Sequence, residues 1–331
     1  MAKLTIVAEA AQGYEGKAEL AALLVKAAAA AKADALKFQL VYADELATPD
    51  YQHYALFRSL EMPDAVWSDL KRLADENKIA LYLDIFGSRS LALAQTLQCP
   101  AIKIHSTDMA NLGLLEEVAA SKIPLVLLSC AGCSEAEIGE ALNLVSKKEV
   151  ALLHGFQGYP TPLEANNISR LAVLRKVLDA SGAKGVLGFA DHAPADDPTR
   201  FVLPVAAIGA GALLIEKHLT LSKIMKFEDF EAALDPDELA AFVALMHACF
   251  SAVGKREAVH ASEDEYRRKT RKHVVALRDI EAGSTIEPRM VGLLRTSSAD
   301  AIYDARAVYG TRTKRRIATG AAVSKTMLDK Q

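Results

Sequence analysis

A chain of 331 residues with 51% hydrophobic and 24% charged side chains can bury one large core and part of a second, the balance of an ordinary soluble globular protein. Its 39 basic residues are offset by 42 acidic ones, so no global field favours nucleic acid or an anionic membrane, and an anionic substrate has to be held by locally placed lysines and arginines. The four cysteines, Cys99, Cys130, Cys133 and Cys249, make no disulfide framework and suit a reducing, cytoplasmic compartment, and there is neither a secretory leader nor the run of about 18 apolar residues that a membrane span needs.

From the N-terminus, short β-branched runs alternate with longer helical stretches over some 250 residues, the pattern of parallel strands joined by crossover helices. Eight runs predict strands: LTIVAEA from Leu4, ALKFQL from Ala35, ALYLDIF from Ala80, AIKIHS from Ala101, PLVLLSC from Pro124, VALLHGF from Val150, GVLGFAD from Gly185 and ALLIEKH from Ala212. Between them, stretches such as LGLLEEVAAS and ISRLAVLRKVLDAS carry apolar residues at three- and four-residue spacing. Ser134 with Glu137 reads as a capping box, and Asp235-Pro236-Asp237-Glu238 as a cap, a first-turn proline and an acidic first turn.

Eight strand-helix units over residues 1–255 predict a closed (β/α)8 TIM barrel, although the alternation alone also suits an open doubly wound sheet. The strand ends favour the barrel, because nearly every strand begins apolar and finishes in chemistry. Those ends are Glu9, Lys37 with Gln39, Asp84, Lys103 with Ser106, Ser129, His154, Asp191 with His192, and Glu216 with His218. In a barrel they converge at the C-terminal mouth, where catalytic groups sit. After a last helix ending near Val253, residues 256–273 read as a polar linker, and residues 274–331 as a small β-rich domain of about 55 residues, a size that benefits from docking on something larger.

Several blocks make the chain resemble the sialic acid synthase family. They are AKADALKFQL with Lys37 and Gln39, KIHSTDMANL with Lys103, Ser106 and Asp108, the serine Ser129 ending the fifth strand, and HGFQGYPTP with His154, Gln157 and Tyr159. GFADH with His192, EKHLT with Glu216 and His218, and the spaced aspartate Asp229 complete the barrel part. The tail, with DIEAGSTI, Arg295 and VYGTRTKRRIATGAAV, is similar to the antifreeze-like (SAF, β-clip) domain that these synthases carry.

The resemblance implies that phosphoenolpyruvate condenses with an amino-sugar aldehyde and that phosphate leaves by C–O cleavage. It implies His192 and His218 as ligands of a divalent metal, Mn2+ first and Mg2+ or Co2+ as alternatives, and Lys37, Lys103, Ser106 and Ser129 as holders of the enol phosphate. Glu9, Lys103, Glu216 and Asp229 become catalytic candidates and Gln39 a substrate-binding one, while Gln157 and Tyr159 would line the sugar pocket. Arg295 would reach the sugar across a domain-swapped homodimer.

The chain also departs from the family pattern. An Asn-His pair is here Gly13-Tyr14, a Ser-Thr-Pro-Phe-Asp block is Leu83-Asp84-Ile85-Phe86-Gly87, a serine is Ala190, and Arg-Pro-Gly is Arg295-Thr296-Ser297. Two hydroxyl donors are thus gone, one of them replaced by a carboxylate, which keeps a non-catalytic sugar-acid-binding homologue as an alternative. A Schiff-base aldolase using Lys37, Lys103 or Lys217 is another. Cys130-Ala131-Gly132-Cys133 lacks the context of a redox or zinc motif, and the basic run from Arg267 to His273 reads as a solvated linker face.

Overall fold

Each of the eight apolar runs forms a strand in the computed structural model, which describes residues 3–156, 158–254 and 259–329. The strands are β1 (Thr5–Ala11), β2 (Ala35–Gln39), β3 (Ala80–Ile85), β4 (Ala101–Ile104), β5 (Leu125–Ser129), β6 (Glu149–His154), β7 (Gly185–Asp191) and β8 (Ala212–His218). All neighbours pair in parallel and β8 pairs back onto β1, so the sheet closes into a TIM barrel and has no edge.

Period-two alternation divides each strand between two cores. Val7, Ala35, Tyr82, Ala101, Leu127, Ala151, Leu153 and Leu214 fill the barrel lumen, whereas the other face of each strand packs against the helices. In register above the lumen layer lie the polar residues: Glu9 is opposite Lys37 and His218, and Asp84 is opposite Gln39 and Lys103. The core below therefore fixes their height and spacing.

Both predicted helix starts are formed, Ser134 accepting from the Glu137 amide and Asp235 heading the helix Pro236–Val253. That helix is the one among the described residues long and apolar enough to cross a membrane, yet Leu239, Phe242, Val243 and Met246 on it are buried in the barrel's outer core.

The chain separates into two compact units, residues 1–254 and 255–331. The second has its own core of Val274, Ala276, Ile280, Ile286, Val291, Val308, Ile317 and Val323, a two-stranded antiparallel sheet of β9 (His273–Ala276) and β10 (Val291–Leu294), and isolated bridges such as Ile280 to Ile317. The stretch read from sequence as a polar linker contains a helix, Ala261–Thr270. Glu263 and Asp264 lie in its first turn, Arg267, Arg268 and Lys269 in its last, and Glu265 pairs with Lys269 at 2.7 Å. No residue on this helix is buried, so a hydrophobic period was absent and charge order alone marks it.

Candidate active site

Five charged side chains meet inside the barrel mouth. Lys37 from β2 contacts Glu9 of β1 and lies 2.8 Å from Asp84 and 3.5 Å from Glu216. Lys103 from β4 lies 2.9 Å from Glu216, 3.3 Å from Asp84 and 3.7 Å from Glu9. Every one of the five is buried, and Lys37 and Asp84 are entirely inaccessible. Two ammonium groups thus face three carboxylates.

Burial opposes charge on each group, and the contacts decide the outcome. Burial draws Lys37 down to about 8 against the pull of Asp84 and Glu216, which leaves it an ammonium at neutral pH. Burial works the same way on Lys103, but Asp84 and Glu216 outweigh it and raise that group above the ordinary lysine range. For Glu216, Lys103 and Lys37 overcome burial and hold the carboxyl at about 2.

The second half of the mouth is built on β7 and β8. His192 and His218 face one another with ring centroids 5.3 Å apart, and the half-exposed Tyr159 ring packs on both. Burial keeps both imidazoles neutral, His192 down at about 3 and His218 well below its usual value with His192 adding to the effect. His192 Nδ1 lies 2.9 Å from the Phe156 carbonyl, which can only accept, so Nδ1 carries the proton and Nε2 presents a free lone pair. Asp229 Oδ2 lies 3.6 Å from His218 Nδ1. Burial, reinforced by Glu228 and Glu231, pushes the Asp229 carboxyl up to about 7, and its backbone is left-handed at φ 62°.

The donor set suits a divalent cation in part. Two neutral imidazoles beside carboxylates are appropriate ligands for a first-row ion. Among the described residues no group of three or more His, Cys, Asp or Glu side chains could hold one, so the protein would supply His192 and His218 and leave other positions open to substrate and water.

The remaining predicted residues are distributed as follows. Ser129 ends β5 and Ser106 opens the turn after β4, both partly exposed at the mouth. Gln39 accepts from Gln12 at 2.7 Å. Gln157 lies outside the described residues. Arg295 is in the second unit, where its Nε donates to the Thr270 carbonyl at 3.2 Å.

Lys217 and Asp191 face the other way. They form a fully buried pair at 2.7 Å, one residue along from the lumen positions on β8 and β7. His154 is likewise committed, its Nε2 bonded to the Asn166 carbonyl at 2.8 Å. Burial pushes the Cys130 and Cys133 thiols up, the opposite of an activated thiolate.

A cavity of about 740 Å³ opens on the side of β1 to β4, lined among others by Gln12, Gln39, Glu45, Phe86, His105 and Thr107. Of these only Gln39 stood out in the sequence. His105 sits inside the KIHS block, where Lys103 and Ser106 were singled out and the histidine between them was not. The cavity wall is braced by Glu45, whose carboxylate accepts from the Arg89 amide at 2.6 Å and the Ser90 amide at 3.2 Å, capping the helix Ser88–Thr96 from the short helix Ala43–Leu46.

Comparison with known proteins agrees with the barrel and the second unit. The profile of the NeuB family matches residues 24–258 and that of the SAF domain residues 271–329. The spore coat polysaccharide biosynthesis protein SpsE of Bacillus subtilis is 33% identical over 73% of this chain and 66% of its own length. The N,N'-diacetyllegionaminic acid synthase of Legionella pneumophila is 26% identical over 95% of this chain and 92% of its own. Among solved structures, the N-acetylneuraminic acid (sialic acid) synthetase of Leptospira borgpetersenii superposes with a TM-score of 0.73 at 28% identity, covering 80% of this chain and 91% of that one.

Proposed function

The chain belongs to the NeuB family and is an enzyme, and from that premise we propose that it is a nonulosonic acid synthase joining phosphoenolpyruvate to an N-acetylmannosamine-like amino-sugar aldehyde for surface polysaccharide biosynthesis. The observation that carries the proposal is the pairing, in one barrel mouth, of two buried lysines with two neutral imidazoles.

Carbon three of the enol phosphate attacks the aldehyde carbon, the aldehyde oxygen takes a proton, water adds to carbon two, and phosphate departs with its bridging oxygen. Lys37 and Lys103, with Ser106 and Ser129, would hold the substrate carboxylate and phosphate in a site that excludes water. Asp229, with a carboxyl near 7, is suited to deliver the proton to the aldehyde oxygen, whereas Glu216 is held ionised and keeps Lys103 charged. Glu9 fixes Lys37 and accepts from the Ala11 amide at 2.8 Å. Gln39, Tyr159 and Gln157 would meet the sugar. A divalent ion, Mn2+ first and Mg2+ or Co2+ as substitutes, would polarise the aldehyde when held by His192 and His218.

A domain-swapped homodimer belongs to the same proposal, the C-terminal unit of one copy bringing Arg295 to the other. Charge supports it: residues 1–254 carry 22 basic and 32 acidic residues, net −10, and residues 255–331 carry 17 and 10, net +7. Light scattering should give a dimer at low ionic strength that weakens as salt rises. A monomer in low salt at micromolar concentration would remove this part. The free cysteines and absence of a disulfide among the described residues suit a cytoplasmic enzyme.

The test is phosphate release from phosphoenolpyruvate with Mn2+ and a panel of N-acetylmannosamine and diamino-deoxyhexose aldehydes, against a chelator control. Acceptor-dependent, chelator-sensitive release is expected and names the sugar. No release with any acceptor would falsify the synthase reading; retained enol-phosphate binding would then favour a binding homologue.

A further inference from the structure

Asp84 stands where it contacts both substrate lysines. Its two oxygens divide between them, Oδ1 at 2.8 Å from Lys37 and Oδ2 at 3.3 Å from Lys103. Neither oxygen accepts a hydrogen bond of good geometry, so only the lysines' charge compensates this inaccessible carboxylate.

Glu9 and Glu216 already match the two ammonium groups, one each by closest contact. Asp84 is thus a third carboxylate on two ammonium groups that are already matched. A ligand bearing a carboxylate and a phosphate must compete with that carboxylate for the lysines. Each further negative charge on the ligand multiplies the opposition, because Coulomb energies in a buried site add charge by charge.

We propose that Asp84 is an internal anion that occupies the lysine pair and sets the affinity of the site for its anionic substrate. This rests on the enol phosphate being that substrate. At residue 84 a neutral side chain would leave the lysines matched by Glu9 and Glu216 alone, with one fewer carboxylate opposing the ligand, and the carboxylate trades affinity for a site that does not retain stray phosphates.

Calorimetric titration of wild type, Asp84→Asn and Asp84→Thr with phosphoenolpyruvate and with singly charged pyruvate tests it. Both variants should bind phosphoenolpyruvate about tenfold or more tightly than wild type, with a smaller gain for pyruvate. Unchanged or weaker phosphoenolpyruvate binding in both folded variants, with wild type binding it, overturns the role of Asp84 and leaves the synthase reading intact. Equal gains for the two ligands overturn the charge mechanism. Failure of all three proteins to bind phosphoenolpyruvate overturns the synthase reading and this inference with it.

Discussion

Lys37→Met is expected to cost roughly 3–5 kcal/mol of stability and to reduce acceptor-dependent phosphate release by about a thousandfold or more. The variant leaves one ammonium group among three buried carboxylates, at a position with no access to water. Adding Asp84→Asn removes the carboxylate that sits closest after Glu9, so the double variant should recover part of the lost stability and none of the activity. Denaturant unfolding of the four proteins in the cycle measures the coupling. If Lys37→Met unfolds at the wild-type midpoint, or if the two changes simply add, the five groups do not act as one cluster.

Acid should destabilise the metal-free protein through His192 and His218. Both are buried neutral, with folded values at about 3 and well below 6.5, so the unfolded chain takes up protons first as pH falls. The stability they contribute is complete above pH 6.5 and is lost as pH drops toward the folded values, at roughly 1.4 kcal/mol per histidine per pH unit. Glu216, held at about 2, adds a loss of the same sign below 4.5. Asp229 acts oppositely: its folded value near 7 lies above the ordinary 3.8, so the stability it contributes grows as pH falls from 7 to 3.8.

Other buried groups contribute to the total slope, so the comparison with a His192→Asn, His218→Asn variant isolates the pair. Unfolding free energies between pH 6.5 and 4.5 should fall more steeply in wild type than in the double variant. Parallel curves would mean that the imidazoles are protonated in the folded protein and are unsuited to bind a cation.

The barrel was legible because its two signals are strong and independent. Eight apolar runs set the strands, and the polar residue ending each one set the direction of the mouth, since chemistry collects at only one end of such a barrel. The lysines, the imidazoles and Glu216 were readable for the same reason. What sequence could not convey is which of the converging side chains touch. That Asp84 would touch both Lys37 and Lys103 depends on barrel curvature and on rotamers, although its register opposite Gln39 and Lys103 follows once the strands pair. Lys217 illustrates the converse. It lies in a matched block between two residues of the mouth, Glu216 and His218, yet alternation turns it to the outer face, where Asp191 holds it. The helix Ala261–Thr270 was missed because amphipathic periodicity is the signal used to find helices, and a fully solvated helix has none.

The cap supplied by Glu45 has a consequence for how these loops can change over descent. A Cβ atom at Gly87 would lie 2.5 Å from Glu45 Oε1, so residue 87 stays bare while Glu45 reaches the helix start. In the family pattern residue 87 is an aspartate, a side chain able to cap the same helix from its own N-terminal position. A side chain at 87 would require the Glu45 carboxylate to move aside. Residues 45 and 87, forty-two positions apart in the chain, thereby share one space, and a side chain at 87 that displaces the Glu45 carboxylate also reshapes the wall of the cavity beside Phe86 and His105.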